Sequence, residues 1–307
     1  MLAEQRKLEP EIDLAALYRT RENAVPTDYR TGPIYRAGLL VTGGMCAGLA
    51  IVVLLALSLH RVYYAQLLPA SVPTEPASAL GFAACGFALI GIGCWFPRIT
   101  SVLSMVTLSM VIALLAEKIL GIGPRVEAVI GANFQAGGSI GIAPNTMLVL
   151  LLGAAALLLR HTSRWFDNRL WVIGVLGSII FAVGAVACVG YLTGIPTYVW
   201  QAHAPMSFLS GICSSILGLG IVMSACRYSE LDELGTPRWF GMVVCTGALA
   251  INFATGLAYW CNSGQSWSHM GVLGLMPMMV VSATLSAVTA RQVWLWAVEA
   301  AIAHRQG

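Results

Sequence analysis

The stretch GSIGIAPNTMLVLLLGAAALLLR, Gly138 to Arg160, turns from a glycine-rich approach into an unbroken apolar run directly after Pro144. Proline is pre-set for a first helical turn, because its ring fixes φ and its missing N–H is not needed there. The run from Thr146 to Leu159 carries no charge. A helix of this kind suits lipid, although a span takes about 20 apolar residues to cross a core of roughly 30 Å. Ile140–Pro144 is therefore expected to lengthen its outer end.

Seven other segments have the same character: Ala37–Leu59, Ala77–Trp95, Ser101–Gly121, Leu170–Leu192, Met206–Cys226, Trp239–Trp260 and Met270–Trp294. The expectation is an all-α, polytopic helical membrane protein with eight transmembrane helices. Composition agrees, since 58% of the 307 residues are hydrophobic and 10% charged, against roughly 25% charged in a soluble domain. The net charge of +3 is too small and too dispersed for a nucleic-acid footprint. Six of the eight cysteines lie in apolar runs, where a small buried hydrophobe is the expected role.

Cytoplasmic loops hold an excess of lysine and arginine. With the N-terminus inside, only Arg61, Lys118 and Arg125 of the seventeen basic residues fall outside. Every inner segment then carries at least one, which fixes both termini inside and checks the count of spans. Residues 1–34 are polar, without the apolar core of a signal peptide. The expected division is a cytoplasmic tail over 1–34, a membrane domain over 35–294 and a cytoplasmic helix end over 295–307.

The opening motif recurs. Pro76 precedes ASALGFAACGFALIGIGCW and Pro205 precedes MSFLSGICSSILGLGIVMSAC, each with a leucine four residues after the proline: Leu80, Leu148 and Leu209. Asn145 to Thr146, and Ser207, are placed to cap free N–H groups at these starts. Glycines dot each helix, and small residues let helices approach closely in lipid. The hairpins also end alike, in AEKILGIGP and VGYLTGIPTYVW. This spacing suits about three helical-hairpin repeats with a lead-in and a closing helix.

The pairs GYLTGIP…HAPMSFLSGICSSILGLGIVM and ILGIGP…GIAPNTMLVLLLGAAALLL resemble the multi-span N-terminal sensor region of bacterial histidine kinases and diguanylate cyclases. The resemblance covers Ala77 to Ala290. It implies a sensory module in the bacterial inner membrane that passes an outer or membrane-embedded cue to a cytoplasmic signalling protein. Neither a phosphorylatable histidine box nor a GG(D/E)EF loop accompanies it, so no output domain and no enzymatic activity are expected. An accessory subunit of a larger membrane complex and a small-molecule transporter are the alternatives. The partners expected are the lipid bilayer, the signalling protein or larger complex, and a second copy of the chain in a homodimer.

Candidate ligand-binding residues lie on the outer side. Glu117 and Lys118 end the third span, where an ionisable residue costs a few kcal/mol; the bland alternative is that both reach the interface, Lys118 by snorkelling. His60, His203 and His269 stand near Trp200 and Trp267. Imidazoles from different spans can hold a metal or sense pH, or simply join an aromatic belt. Arg125 lies in the loop Gly123–Asn145. No cofactor is expected, and the identity of any metal stays open. On the inside, Arg227, Glu230, Asp232, Glu233 and Arg238 are the candidate contacts for a cytoplasmic partner.

Overall fold

The computed structural model describes residues 32–59, 72–121, 126, 128–130, 141–160, 169–193, 206–228, 237 and 239–262. Seven long helices fill them: α1 Gly32–Ser58, α2 Pro76–Gly93, α3 Pro97–Leu120, α4 Pro144–Leu159, α5 Arg169–Thr193, α6 Phe208–Cys226 and α7 Phe240–Asn262. Five of these, α1, α2, α3, α5 and α6, are long and apolar enough to cross a membrane. Each of the seven coincides with an expected span. The eighth, Met270–Trp294, lies outside the described residues.

The helices alternate between inside and outside. α2, α4 and α6 pack against one another. α1 lies against α6 and α2, α3 against α2 and α4, and α5 against α4 and α6, while α7 packs on α5. Accordingly α2 buries most of its residues, whereas α3 buries only one narrow face. The exposed face of α3 is apolar, with Val102, Met105, Val106, Ile112 and Ile119, which is what lipid solvates. Its buried face runs Thr100, Ser104, Thr107, Val111 and Leu114 at alternating steps of four and three. Thr100 Oγ1 donates to Ala88 O of α2 at 3.1 Å, and Ser104 and Thr107 return their hydroxyls to their own helix. No polar group on this face is left to the lipid, where an unmade hydrogen bond costs several kcal/mol.

Lipid tails are as apolar as leucine, so these helices associate through close packing. Two glycine seams provide it. A Cβ at Gly184 would meet Gly211 O and Ser215 N, each at 2.6 Å, and one at Gly218 would meet Gly177 O at 2.6 Å. The seven-residue spacing of Gly177 and Gly184 thus matches that of Gly211 and Gly218 along the antiparallel α5–α6 pair. Between α1 and α2, a Cβ at Gly86 would stand 2.6 Å from Ala47 N and 2.8 Å from Gly43 O. The core between the seams is continuous, with Phe82, Leu89, Leu150, Leu157, Leu217 and Ile221 in one cluster. Seven of the cysteines are free thiols; Cys46, Cys85, Cys213 and Cys226 are buried, as a hydrophobic role requires.

The start of α4 differs from expectation, while that of α6 agrees with it. Residues 141–143 are not helical, so of the described part of Ile140–Pro144 only Pro144 joins the helix; α4 has 16 residues. The lead-in strand of backbone enters the bundle instead, with Ile142 and Ala143 buried. Its Ile142 carbonyl is satisfied by Lys118 Nζ at 2.5 Å, which is how irregular backbone is tolerated at depth. Neither Asn145 nor Thr146 caps α4, whose N-cap is Ala143 without a side-chain bond. The cap expected at Ser207 is present: its Oγ accepts from Ser210 N at 3.1 Å.

Candidate functional site

Because α2, α4 and α6 run parallel at the centre, their N-termini gather at one end of the bundle and their C-termini at the other. Both ends carry polar side chains, of very different kinds.

The N-terminal end is lined by hydroxyls. Thr74, just before α2, shares a 2.8 Å hydrogen bond with Ser207, and Ser207 Oγ donates to Ser210 Oγ at 2.8 Å. Thr74, Ser207 and Ser210 are buried, as are Ser78 of α2 and Thr146 of α4 in the first turns of their helices. Tyr191, near the end of α5, donates its hydroxyl to Met206 O at 2.9 Å and sets its ring edge-on to Phe208 at 5.7 Å. This gives the tyrosine of GYLTGIP a physical role: it fastens the start of α6. Helix N-termini present unpaired N–H groups and a partial positive charge. Three of them beside five hydroxyls form an end suited to recognising hydrogen-bonding acceptors.

Glu117 and Lys118 frame this end without pairing with each other. The Glu117 carboxylate accepts from Val126 N at 2.8 Å, while Lys118 holds Ile142. Each therefore anchors a different piece of connecting chain. Arg125, His60, His203, His269, Trp200 and Trp267 lie outside the described residues, and so do Glu230, Asp232, Glu233 and Arg238.

The opposite end is cationic and aromatic. α2 closes in a Schellman turn: Phe96 N bonds Gly91 O at 2.8 Å and Trp95 N approaches Ile92 O at 3.4 Å. The residue in the left-handed conformation of such a turn is usually glycine. Here it is Trp95, at φ 62°, a position that costs a bulky residue about 1–2 kcal/mol. The Trp95 ring is put to use. Arg227, just beyond α6, sits 4.7 Å over it and donates from Nη1 to Ile92 O at 3.1 Å. Tyr228 meets Trp95 edge-on at 6.1 Å, and the Arg160 guanidinium, at the end of α4, lies 4.0 Å over the Tyr228 ring. All three central helices thus meet in one cluster.

The cluster is not closed. Arg160 Nη1 and the Tyr228 hydroxyl are buried without a hydrogen-bond partner. Among the described residues neither Arg160 nor Arg227 meets a carboxylate. Burial pushes the Arg160 guanidinium down from its ordinary value, with Tyr228 acting in the other direction.

Of the residues singled out in the sequence, the structure brings Arg227 into a constellation and gives Glu117 and Lys118 anchoring bonds. Thr74, Ser210, Tyr191, Trp95, Arg160 and Tyr228 were missed. A signal for the cationic end exists: the expected inner ends read CWFPR, LLLR and ACRY, so each central helix finishes in arginine, aromatic or both. No family model, curated protein or solved structure matches the chain.

Proposed function

We propose that this chain is a sensory, ligand-binding module of the bacterial inner membrane, without enzymatic activity, that conveys an outer or membrane-embedded cue to a cytoplasmic signalling protein. The reading includes eight spans with both termini inside, and three hairpin repeats in which α2, α4 and α6 are the equivalent proline-led helices. The observation that carries it is the shared use of these helices: they open together on the hydroxyl-lined end and close together on the arginine–aromatic cluster. A cue that repositions one central helix at its N-terminus also shifts its partner surfaces at the far end, because glycine seams leave no slack between helices. Such a shift requires two packings that the cue binds differently. The repeat is supported by the alternation of inner and outer helices, since α1, α3 and α5 each fill the groove between two central ones. The central helices carry no Asp, Glu, Lys, Arg or His, which favours a sensor over a transporter of charged solutes.

The test is purification of the tagged full chain from its own membranes. A signalling protein retained in fixed stoichiometry, and released by substitutions across residues 227–238, is the expected result. Recovery within a large membrane complex instead assigns the chain to the accessory-subunit alternative and ends the sensor reading.

A further inference from the structure

We propose that the arginine–aromatic cluster at the C-terminal ends of α2, α4 and α6 is a binding site for a phosphate group, with Arg160, Arg227 and Tyr228 as its donors. The proposal is independent of the sensor reading.

Three observations carry it. Two donors, Arg160 Nη1 and the Tyr228 hydroxyl, are buried yet make no hydrogen bond. They adjoin each other, since the Arg160 guanidinium stacks on the Tyr228 ring at 4.0 Å. A lone buried donor is costly, and a buried cationic one more so. Two such donors on stacked neighbours are what one acceptor reaching both would satisfy. Second, the cluster gathers two guanidinium groups with no counter-charge among the described residues. Arg227 spends Nη1 on Ile92 O, and the rest of its planar fork retains donors of the kind that match phosphate oxygens. Third, the backbone is strained to build the site: Trp95 occupies the left-handed position of the Schellman turn, and its ring is the shelf on which Arg227 lies. Strain of this sort persists where the surroundings over-determine it, and it concentrates at ligand sites. Desolvation of Arg160 points the same way, because a bound oxyanion restores what burial removes.

The chemistry fits phosphate better than carboxylate, for a tetrahedral oxyanion accepts from several directions at once and here the donors come from two different helix ends. Two sources share this chemistry. One is the headgroup of an anionic phospholipid, which basic pockets between membrane helices recognise. The other is a soluble phosphate.

The experiment uses the full chain, delipidated in dodecyl maltoside, a detergent without phosphate. Thermal unfolding is followed against inorganic phosphate, against phosphatidylglycerol in mixed micelles, and against diacylglycerol and chloride at matched concentration and ionic strength. Stabilisation by phosphatidylglycerol alone identifies a lipid headgroup, and stabilisation by inorganic phosphate identifies a soluble ligand. In either case Arg160→Gln weakens apparent affinity by about tenfold or more, the usual size for a hydrogen bond to a charged group. Tyr228→Phe keeps the ring under Arg160 and removes only the hydroxyl, so it covers the event that Arg160→Gln does not fold. With a phosphate site, Tyr228→Phe also reduces the ligand-induced shift. The proposal is overturned when neither phosphate compound stabilises beyond its control, or when the shift is the same in the wild type and Tyr228→Phe.

Discussion

Gly218→Ala isolates what holds the bundle together. An alanine Cβ at 218 would sit 2.4 Å from Phe181 N, 2.6 Å from Gly177 O and 2.8 Å from Phe181 Cα, whereas contacts to carbon relax only near 3.5 Å. The obstructing atoms are backbone, so no rotamer change relieves them and α5 must part from α6 by roughly 1 Å. Overpacking of this kind costs about 1–3 kcal/mol. Against it stands the better helix propensity of alanine, up to about 1 kcal/mol. With the full propensity gain the net expectation is a loss of about 0–2 kcal/mol, which is about 1–3 kcal/mol below a glycine-to-alanine change that meets no obstruction. Gly44 is the matched control: it lies within α1, and a Cβ there meets nothing within 4 Å. Gly44→Ala is therefore expected to be neutral or mildly stabilising. Reversible unfolding of the full chain in mixed micelles, titrated with dodecyl sulfate, measures both variants on one scale. A Gly218→Ala protein as stable as Gly44→Ala would refute the glycine-seam reasoning.

Ser207→Ala removes the cap of α6 together with its bonds to Thr74 and Ser210, and is expected to cost about 1–2 kcal/mol in the same assay; Thr74→Val, which leaves the cap intact, should cost less. Lys118→Met removes the charged donor that Ile142 O accepts from, and a loss of about 1–3 kcal/mol is expected, whereas simple snorkelling of Lys118 predicts almost none. At position 95, Ala keeps the left-handed strain and loses the ring, while Gly loses the ring but relieves the strain. Trp95→Ala should thus unfold more easily than Trp95→Gly by about 1 kcal/mol, and the opposite order would mean that the Schellman geometry is not what position 95 experiences.

Much of the architecture was legible because membrane spans announce themselves by length and hydropathy. Helix α1 to helix α7 fall where the apolar runs place them, and Ser207 caps as its chemistry suggests. The starts were harder. Pro97 opens α3 four residues before the apolar run beginning at Ser101, because proline at a first turn tolerates an interfacial Arg98. α4 stays short because its lead-in backbone is satisfied by Lys118, a side chain from another helix, and no local pattern encodes such a bond. The same holds for the sites. Thr74 and Ser207 are 133 residues apart in the chain, and Ile92 and Arg227 are 135 apart. Hydroxyls in membrane helices usually bond their own backbone, so nothing in the sequence distinguishes Ser210 from Ser224. The sequence does carry one signal for the cluster, an arginine or an aromatic at the C-terminal end of every central helix.

The most direct test of the idea that the central helices link the two ends is hydrogen exchange on the full chain in nanodiscs, comparing wild type with Ser207→Ala. Linked ends predict altered protection in the segments 92–96 and 225–228, at the far end of α2 and α6 from the substitution. Change confined to the first turns of α6, with the arginine–aromatic cluster exchanging as in the wild type, would contradict it, because local fraying alone reaches no further than the lost cap.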